Sequence, residues 1–149
     1  EMPVPRYSAA TVAMGDRIYV IGGQNAAVPK VFRIVEEYDP MLDTWTEKSK
    51  IQTERSSIGV AMVDGEIYAI GGGRINEMLR SVEIYDPAKN KWMWGKNMSA
   101  ARCSMGASVV NGKIYAIGGV DIPPLVYLSA VEEFTPEDSV EQNSSQPMK

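Results

Sequence analysis

The sequence predicts an all-β repeat protein built from four short antiparallel strands in each repeat. Three observations carry this prediction: a strand pattern that occurs three times, a tight-turn dipeptide before each copy and a glycine pair after it. The copies with their flanking turns are residues 16–23, 65–72 and 112–119. Self-similarity at a fixed period of roughly 20–50 residues is typical of repeat architectures.

The period is marked by one arginine in each copy. Arg6, Arg55 and Arg102 lie 49 and 47 residues apart, and the leading glycines Gly22 and Gly71 follow their arginines at the same distance of 16 residues. We therefore divide the single region 1–149 into repeat 1 at about 2–50, repeat 2 at about 51–98, a degenerate repeat 3 at about 99–136 and a polar tail at 137–149.

The first two strands of each repeat form a predicted hairpin. The first strand is small and apolar, and it is followed by Gly15-Asp16, Asp64-Gly65 or Asn111-Gly112. Asp-Gly and Asn-Gly are strong hairpin signals, because both central residues of such a turn need positive φ. The second strand is almost entirely apolar, so we expect it to be buried on both faces.

A loop of variable length separates the glycine pair from the third strand. The loops span 24–33, 73–80 and 120–129, and length variation confined to one loop marks it as a surface loop. The third strand follows and ends in Asp39-Pro40 or Asp86-Pro87, with proline where a type I turn favours it. The fourth strand centres on Trp45 and Trp92, whereas the third repeat has Glu141 at the corresponding position.

These motifs together resemble kelch repeats. They are the Gly-Gly pair, the aromatic-Asp-Pro turn and the tryptophan seven residues after that aromatic, and they cover about residues 2–136. The form with an arginine, Asn/Asp-Gly, Ile-Tyr-x-Ile-Gly-Gly and Val-Glu-x-Tyr-Asp-Pro is most similar to the kelch region of BTB-kelch adaptors. The resemblance implies kelch-type β-propeller blades, each a four-stranded antiparallel sheet. In such adaptors the propeller recruits substrates to a cullin-based ubiquitin ligase, and some relatives bind actin.

The number of repeats departs from this pattern. Propellers typically close with 4–8 blades, and this chain supplies about three, so an incomplete propeller is expected. One hypothesis is a fragment or shortened form of a larger propeller. The other is self-association of two copies as 3+3 blades, because an incomplete ring exposes apolar surface and strand edges.

Composition excludes several classes of function. The formal net charge is −4 without a basic run, so neither nucleic acid nor a membrane surface is an expected partner. The chain contains no histidine and one cysteine, Cys103. This removes the commonest general base and histidine-based zinc sites. We therefore expect no catalytic residue, metal or cofactor, and a single cysteine favours the reducing cytoplasm.

Residues that contact a partner are expected where the repeats differ, in the variable loops. The loop candidates are Gln24, Asn25, Arg33, Arg74, Asn76, Arg80, Ser81, Asp121, Tyr127 and Ser129. The resemblance adds the residues just after each recurring arginine, Tyr7, Ser56 and Cys103. Arg6, Arg55 and Arg102 are candidates for the same partner-binding face, but a residue present in every repeat also suits a scaffold role, paired with Glu36, Glu83 or Glu132.

A second group of residues is expected to be structural. Large aromatic side chains in strands mostly pack in cores, and adjacent glycines suit positive φ or a close backbone approach. This group is Gly22, Gly23, Gly71, Gly72, Gly118, Gly119, Tyr38, Tyr85, Trp45 and Trp92.

Three functions are compared on this basis. The leading hypothesis is a protein-interaction module that binds a ubiquitination target, with a cullin reached only through a BTB region missing from this chain. The alternative is an actin-binding or cytoskeletal role. A propeller enzyme is disfavoured, because the catalysts of this type depend on histidine or on metal clusters.

Overall fold

The computed structural model describes residues 1–28, 30–122 and 124–136. These residues form an all-β structure of antiparallel sheets, as the sequence predicts, and each of the larger sheets is called a blade below. The polar tail 137–149, including Glu141, lies outside the described residues. Among the described residues, no helix has the length and apolar character that crossing a membrane would require.

The first repeat forms a four-stranded antiparallel sheet, blade 1, and a separate two-stranded hairpin. Its strands are β1 (Ala10–Met14), β2 (Arg17–Ile21), β3 (Gln24–Asn25), β4 (Lys30–Val31), β5 (Val35–Asp39) and β6 (Thr44–Glu47). The sheet order is β1-β2-β5-β6, and β3 pairs with β4. The predicted variable loop is therefore partly ordered as a hairpin.

The second repeat has the same arrangement and forms blade 2. Its strands are β7 (Gly59–Val63), β8 (Glu66–Ile70), β9 (Gly73–Arg74), β10 (Glu77–Met78), β11 (Val82–Asp86) and β12 (Lys91–Trp94). The sheet order is β7-β8-β11-β12, and β9 pairs with β10. Residues Ile67 to Ile70 of β8 are all buried, as expected for the central apolar strand.

The third repeat forms blade 3 with three strands in its sheet within the described residues. Its strands are β13 (Gly106–Val110), β14 (Lys113–Ile117), β15 (Val120–Asp121), β16 (Val126–Tyr127) and β17 (Val131–Phe134). The sheet order is β13-β14-β17, with β15 paired to β16. The residues described contain three blades and no closed ring.

Aromatic pairs connect the third and fourth strands of the first two blades. Tyr38 lies directly opposite Trp45, and Tyr85 lies opposite Trp92. Their ring centroids are 4.8 and 5.0 Å apart, within the range of favourable aromatic contacts. The Asp-Pro turn between these strands is held by Asp39, whose Oδ1 accepts hydrogen bonds from the backbone of the next turn residues.

Two apolar clusters join neighbouring blades. The cluster between blades 1 and 2 contains Tyr19, Ile21, Val35, Ile51, Ile67, Ala69 and Tyr85, with Trp92 packed against it. Trp92 also donates a hydrogen bond from Nε1 to the carbonyl of Ser49, 2.8 Å away. The cluster between blades 2 and 3 contains Ala61, Val63, Tyr68, Ile70, Val82, Ile84, Met98, Met105, Ile114 and Ala116.

Blade 2 packs one of its faces against blade 3, whereas the equivalent face of blade 3 is exposed. Val110, Ile117 and Val131 are 53%, 46% and 59% exposed. The corresponding residues of blade 2 are Val63, Ile70 and Val82, and all of them are buried against blade 3. The central strand β14 is therefore not buried on both faces, because no blade packs beyond it in the described residues. Pairing of two copies as 3+3 blades stays a prediction.

Alkaline unfolding is expected to depend on Tyr85. Burial raises the pKa of Tyr85 to about 12, and the charges of Glu37 and Asp86 add to this shift. A tyrosine in the unfolded chain titrates near ~10. The stabilising contribution is therefore complete below about pH 10 and is lost as the pH rises through the folded pKa.

Tyr85→Phe tests this pH dependence. The variant loses the 2.7 Å hydrogen bond to Asn90 Oδ1, so we expect it to lose about 1 kcal/mol of stability near neutral pH. Its urea midpoint should then fall less than that of the wild type between about pH 9 and pH 11. Tyr7→Phe, at a half-exposed tyrosine, is the control. Parallel declines in the wild type and Tyr85→Phe would contradict the prediction.

Candidate partner-binding face

The three small hairpins emerge at the same end of the blades. In each repeat the hairpin connects the second strand to the third, so it lies opposite the tight turn that joins the first two strands. The segment after each recurring arginine reaches the same end, because the inner strands β1, β7 and β13 start there. We call this end the hairpin face. The Asp-Pro turns lie at the other end.

Each hairpin is tied to the residue that follows a recurring arginine. Tyr7 pairs with Gln24, Ser56 with Gly73 and Cys103 with Val120. Both backbone hydrogen bonds form in every pair, with N···O distances between 2.8 and 2.9 Å. The three residues that the resemblance added to the candidates are therefore built into the base of the hairpin face.

A row of serines connects one repeat to the next on this face. The backbone N–H of Ser57 donates to the carbonyl of Ser8 at 2.8 Å, and that of Ser104 donates to the carbonyl of Ser57 at 2.9 Å. All three serines have φ between 52° and 54°, a left-handed conformation that few non-glycine residues adopt. Sequence reasoning did not single out these serines, although a serine two residues after each arginine was a visible signal.

The glycine pairs make close backbone contacts where the second strand ends. Gly22 and Gly23 have φ of +63° and +94°, and the N–H of Gly23 donates to the carbonyl of Arg55 at 3.0 Å. A Cβ on Gly22 would lie 2.2 Å from that carbonyl oxygen. These glycines therefore let the backbone of one repeat approach the next arginine.

The recurring arginines are buried below the hairpin face. The side chains of Arg6, Arg55 and Arg102 are 0% exposed, and they form ion pairs with Glu36, Glu83 and Glu132. In this geometry they support the scaffold, and they are not available at the surface to an acidic peptide.

The Arg55–Glu83 pair has the most complete set of partners. Its N···O distance is 2.7 Å, and Arg55 also donates to the carbonyls of Gly71 and Ser81 at 2.9 and 3.1 Å. Glu83 accepts from the backbone N–H groups of Gln52 and Thr53 at 2.7 and 2.9 Å. Burial lowers the pKa of Arg55, and the charge of Glu83 opposes that shift.

Several of the residues predicted to contact a partner form hydrogen bonds within the fold. Asn25 donates to the carbonyl of Pro5 and accepts from Ala27, and Arg33 donates from Nε to the carbonyl of Ile51 at 2.6 Å. Ser81 accepts from Arg55 through its hydroxyl. Asp121 accepts from the backbone of Ile122, so these polar side chains chiefly shape the loops.

Other predicted residues lie open on the hairpins. Arg74 pairs with Glu77 across its hairpin, with 40% and 49% of the two side chains exposed. Asn76 is exposed with a φ of 62°, which suits the hairpin turn. Tyr127 is 79% exposed. Arg80 and Ser129 are exposed, and Gln24 is half-buried.

A cavity of about 220 Å³ lies between the first and second hairpins. Predicted residues contribute to it through Gln24, Ser56, Arg74 and Cys103. The remaining lining residues are Val31, Ser57, Gly73, Ile75 and Met78. The cavity is therefore more apolar than the polar loop residues suggested.

Several apolar side chains of the hairpin face are exposed to solvent. They are Tyr7, Val28, Ile75, Leu125, Val126 and Tyr127, exposed by between 42% and 79%. Of these, only Tyr127 was among the loop residues selected from the sequence. Single aliphatic residues in a loop carry no sequence signal of exposure, because the same residue types fill cores. Five of the six lie on the small hairpins, and exposed apolar side chains at one end of a fold are suited to an interaction surface.

Chemistry at this face is limited by its residue types. Within residues 1–28, 30–122 and 124–136, no group of three or more Cys, Asp or Glu side chains is arranged to hold a metal ion. The described side chains of this face contribute exposed apolar area and the charges of the Arg74–Glu77 pair.

Comparison with known proteins identifies the repeat. The model of the KLHDC2/KLHL20/DRC7 Kelch-repeats domain matches residues 1–119, and the Kelch motif matches residues 101–140. The structure of YjhT superposes with a TM-score of 0.71 and 25% identity, covering 81% of this chain and 36% of that chain.

Curated relatives match over shorter segments. Human Kelch-like protein 28 is 34% identical over 75 residues, which are 46% of this chain and 13% of the relative. Kelch-like protein 26 of Danio rerio is 36% identical over 73 residues, covering 48% and 12%. Kelch-like ECH-associated protein 1A of Danio rerio is 36% identical over 57 residues, covering 37% and 10%. The matched segments thus span about an eighth or less of these relatives.

Proposed function

The chain belongs to the kelch-repeat family, and on that premise we propose that it is a non-catalytic protein-interaction module that binds its partner on the hairpin face. The observation that carries the proposal is the set of exposed apolar side chains at the tips of the hairpins, beside the 220 Å³ cavity. Aromatic residues and arginine are enriched in interface hot spots, and Tyr127 and Arg74 are of these types.

The partner is a polypeptide destined for ubiquitination in the cytoplasm. This finer role is supported by the resemblance to the kelch region of BTB-kelch adaptors and by the Kelch-like relatives. The mechanism would be thermodynamic, because tethering raises the local concentration of the bound protein beside the ligase. A cullin would be engaged through a BTB region and not through these blades. The actin-binding alternative has no separate observation in its favour.

Paired surface variants test the position of the binding face. We expect Tyr127→Ser with Ile75→Ser to weaken partner binding by at least about tenfold, or about 1.4 kcal/mol. The matched control is Met41→Ser with Leu42→Ser, at residues 84% and 70% exposed on the Asp-Pro turn at the opposite end. Both variants replace two exposed apolar side chains by serine, so the control matches the number of substitutions and the gain in polarity on the opposite face.

The measurement is quantitative mass spectrometry of proteins that co-purify with each variant, followed by binding isotherms for those enriched. Binding at the hairpin face would be contradicted if both variants lost the same co-purifying protein. It would also be contradicted if both variants retained every protein that co-purifies with the wild type. Co-purification of a cullin with this chain alone would contradict the proposed division of roles.

A further inference from the structure

A second cavity, of about 240 Å³, lies between blades 2 and 3, away from the hairpin face. Its apolar lining consists of Ile70, Val82, Met98, Ile114, Ala116 and Phe134. The polar part of its lining consists of Lys96, Asn97, Ser99, Glu132 and Glu133. All of these except the half-buried Glu132 are exposed, so the cavity opens toward solvent on this side.

The internal repeat shows which part of the interface between blades 1 and 2 is equivalent to this cavity. Each lining residue has a counterpart in the cluster between blades 1 and 2. In the same order, the counterparts are Ile21, Val35, Ile51, Ile67, Ala69 and Tyr85. The two interfaces thus have nearly the same wall: four of the six positions are identical, Met98 replaces Ile51, and Phe134 replaces Tyr85.

One member of the first interface has no counterpart in the second among the residues that the structure describes. Trp92 packs against the cluster between blades 1 and 2, 5.0 Å from the Tyr85 ring, with its Nε1 donating to Ser49. The residue seven positions after Phe134 is Glu141, and residues 137–149 contain no aromatic residue. No side chain of that segment can therefore supply an indole ring.

We propose that the cavity between blades 2 and 3 is a binding site for an indole ring, which occupies the place that Trp92 fills between blades 1 and 2. An apolar cavity of roughly 150 Å³ is large enough to bind benzene, so the 240 Å³ available here accommodates the larger bicyclic ring. Phe134 occupies the position equivalent to Tyr85, whose ring contacts Trp92. Lys96 occupies the position equivalent to Ser49, whose carbonyl accepts the hydrogen bond from Trp92 Nε1. The ring is supplied either by a free indole compound or by a tryptophan side chain of another polypeptide.

Methyl NMR of the whole chain tests the site directly. With ¹³C-methyl methionine, indole should produce a saturable ring-current shift of the Met98 methyl, which lines the cavity. The Met41 methyl, 84% exposed on a distant turn, should not shift. Met98→Leu assigns the signal, because volume-conserving swaps of this kind usually cost less than about 1.5 kcal/mol. Absence of a saturable Met98 shift would overturn the proposal.

A cavity-filling variant provides the second measurement. Ala116→Leu adds aliphatic volume to the wall of the cavity, so indole binding by isothermal calorimetry should fall by at least about tenfold. Val110→Leu adds a methylene at a 53% exposed position of the same blade and should leave binding unchanged. Equal indole affinity in both variants would place the ligand elsewhere and overturn the assignment.

Competition separates the two sources of the ring. If N-acetyl-tryptophanamide and an extended tryptophan-containing peptide displace indole from the Met98 site, the ring comes from a polypeptide. If only free indole binds, the site takes a small molecule. A hairpin-face variant such as Tyr127→Ser should not affect indole binding, so this test is independent of the proposed function.

Discussion

Arg55→Met is expected to destabilise the fold by about 3–5 kcal/mol, because it leaves the carboxylate of Glu83 buried without its cation. Both side chains are 0% exposed, so solvent cannot replace the lost partner. The carbonyls of Gly71 and Ser81 also lose a donor. With a typical total stability of about 5–15 kcal/mol, the variant should be close to unfolded. The measurement is urea denaturation followed by circular dichroism.

The control is Arg74→Met, which removes an arginine from an exposed pair. Arg74 and Glu77 lie 2.5 Å apart but are 40% and 49% exposed, and such pairs contribute about 0–1 kcal/mol. Arg55→Met combined with Glu83→Leu should recover part of the loss, since it removes the buried unpaired charge. Similar losses in the two single variants would contradict a scaffold role for Arg55.

Gly22→Ala is expected to destabilise the fold by about 1–3 kcal/mol more than Gly15→Ala. Both glycines have similar positive φ, +63° and +57°, so both substitutions carry the left-handed cost of about 1–2 kcal/mol. Only at Gly22 would the new Cβ meet a neighbour, the Arg55 carbonyl oxygen at 2.2 Å; at Gly15 nothing lies within 4 Å. The extra loss is the cost of overpacking.

Urea midpoints of the two alanine variants measure this difference. The clash involves the backbone between blades 1 and 2, which a rotamer change cannot relieve. Because φ is matched, the comparison isolates the close approach from the conformational preference of glycine. Equal destabilisation would mean that the glycine pairs are needed for positive φ alone.

Strand positions were predictable because their signals are local. The turn at Asp64-Gly65 sets a hairpin through the φ preferences of two adjacent residues, and the apolar run that follows has the length of one strand. The observed β7 and β8 flank that turn. The small hairpins were missed, because their two-residue strands are too short to show an alternating pattern.

Contact residues were less predictable, because side-chain engagement depends on neighbours far away in sequence. In the sequence, Arg33 and Ser81 resemble solvent-exposed loop residues. In the structure, Arg33 donates a hydrogen bond to Ile51 and Ser81 accepts one from Arg55. Ile75 looks like a stray apolar residue, yet it is 65% exposed beside a cavity. The loop could be located from its variable length, but the side chains that point outward could not.

The amino-acid sequence alone was sufficient to predict the class of fold and the repeat. It also predicted that the loops that vary between repeats lie at one end of the blades. Turn chemistry, strand length and the 49- and 47-residue spacing are all properties of short segments or of their recurrence. Packing between repeats decided two further matters. It buried Arg55 against Glu83, 28 residues away, and among the described residues it left a cavity between blades 2 and 3. Both depend on contacts between distant segments, which form only when the blades pack together.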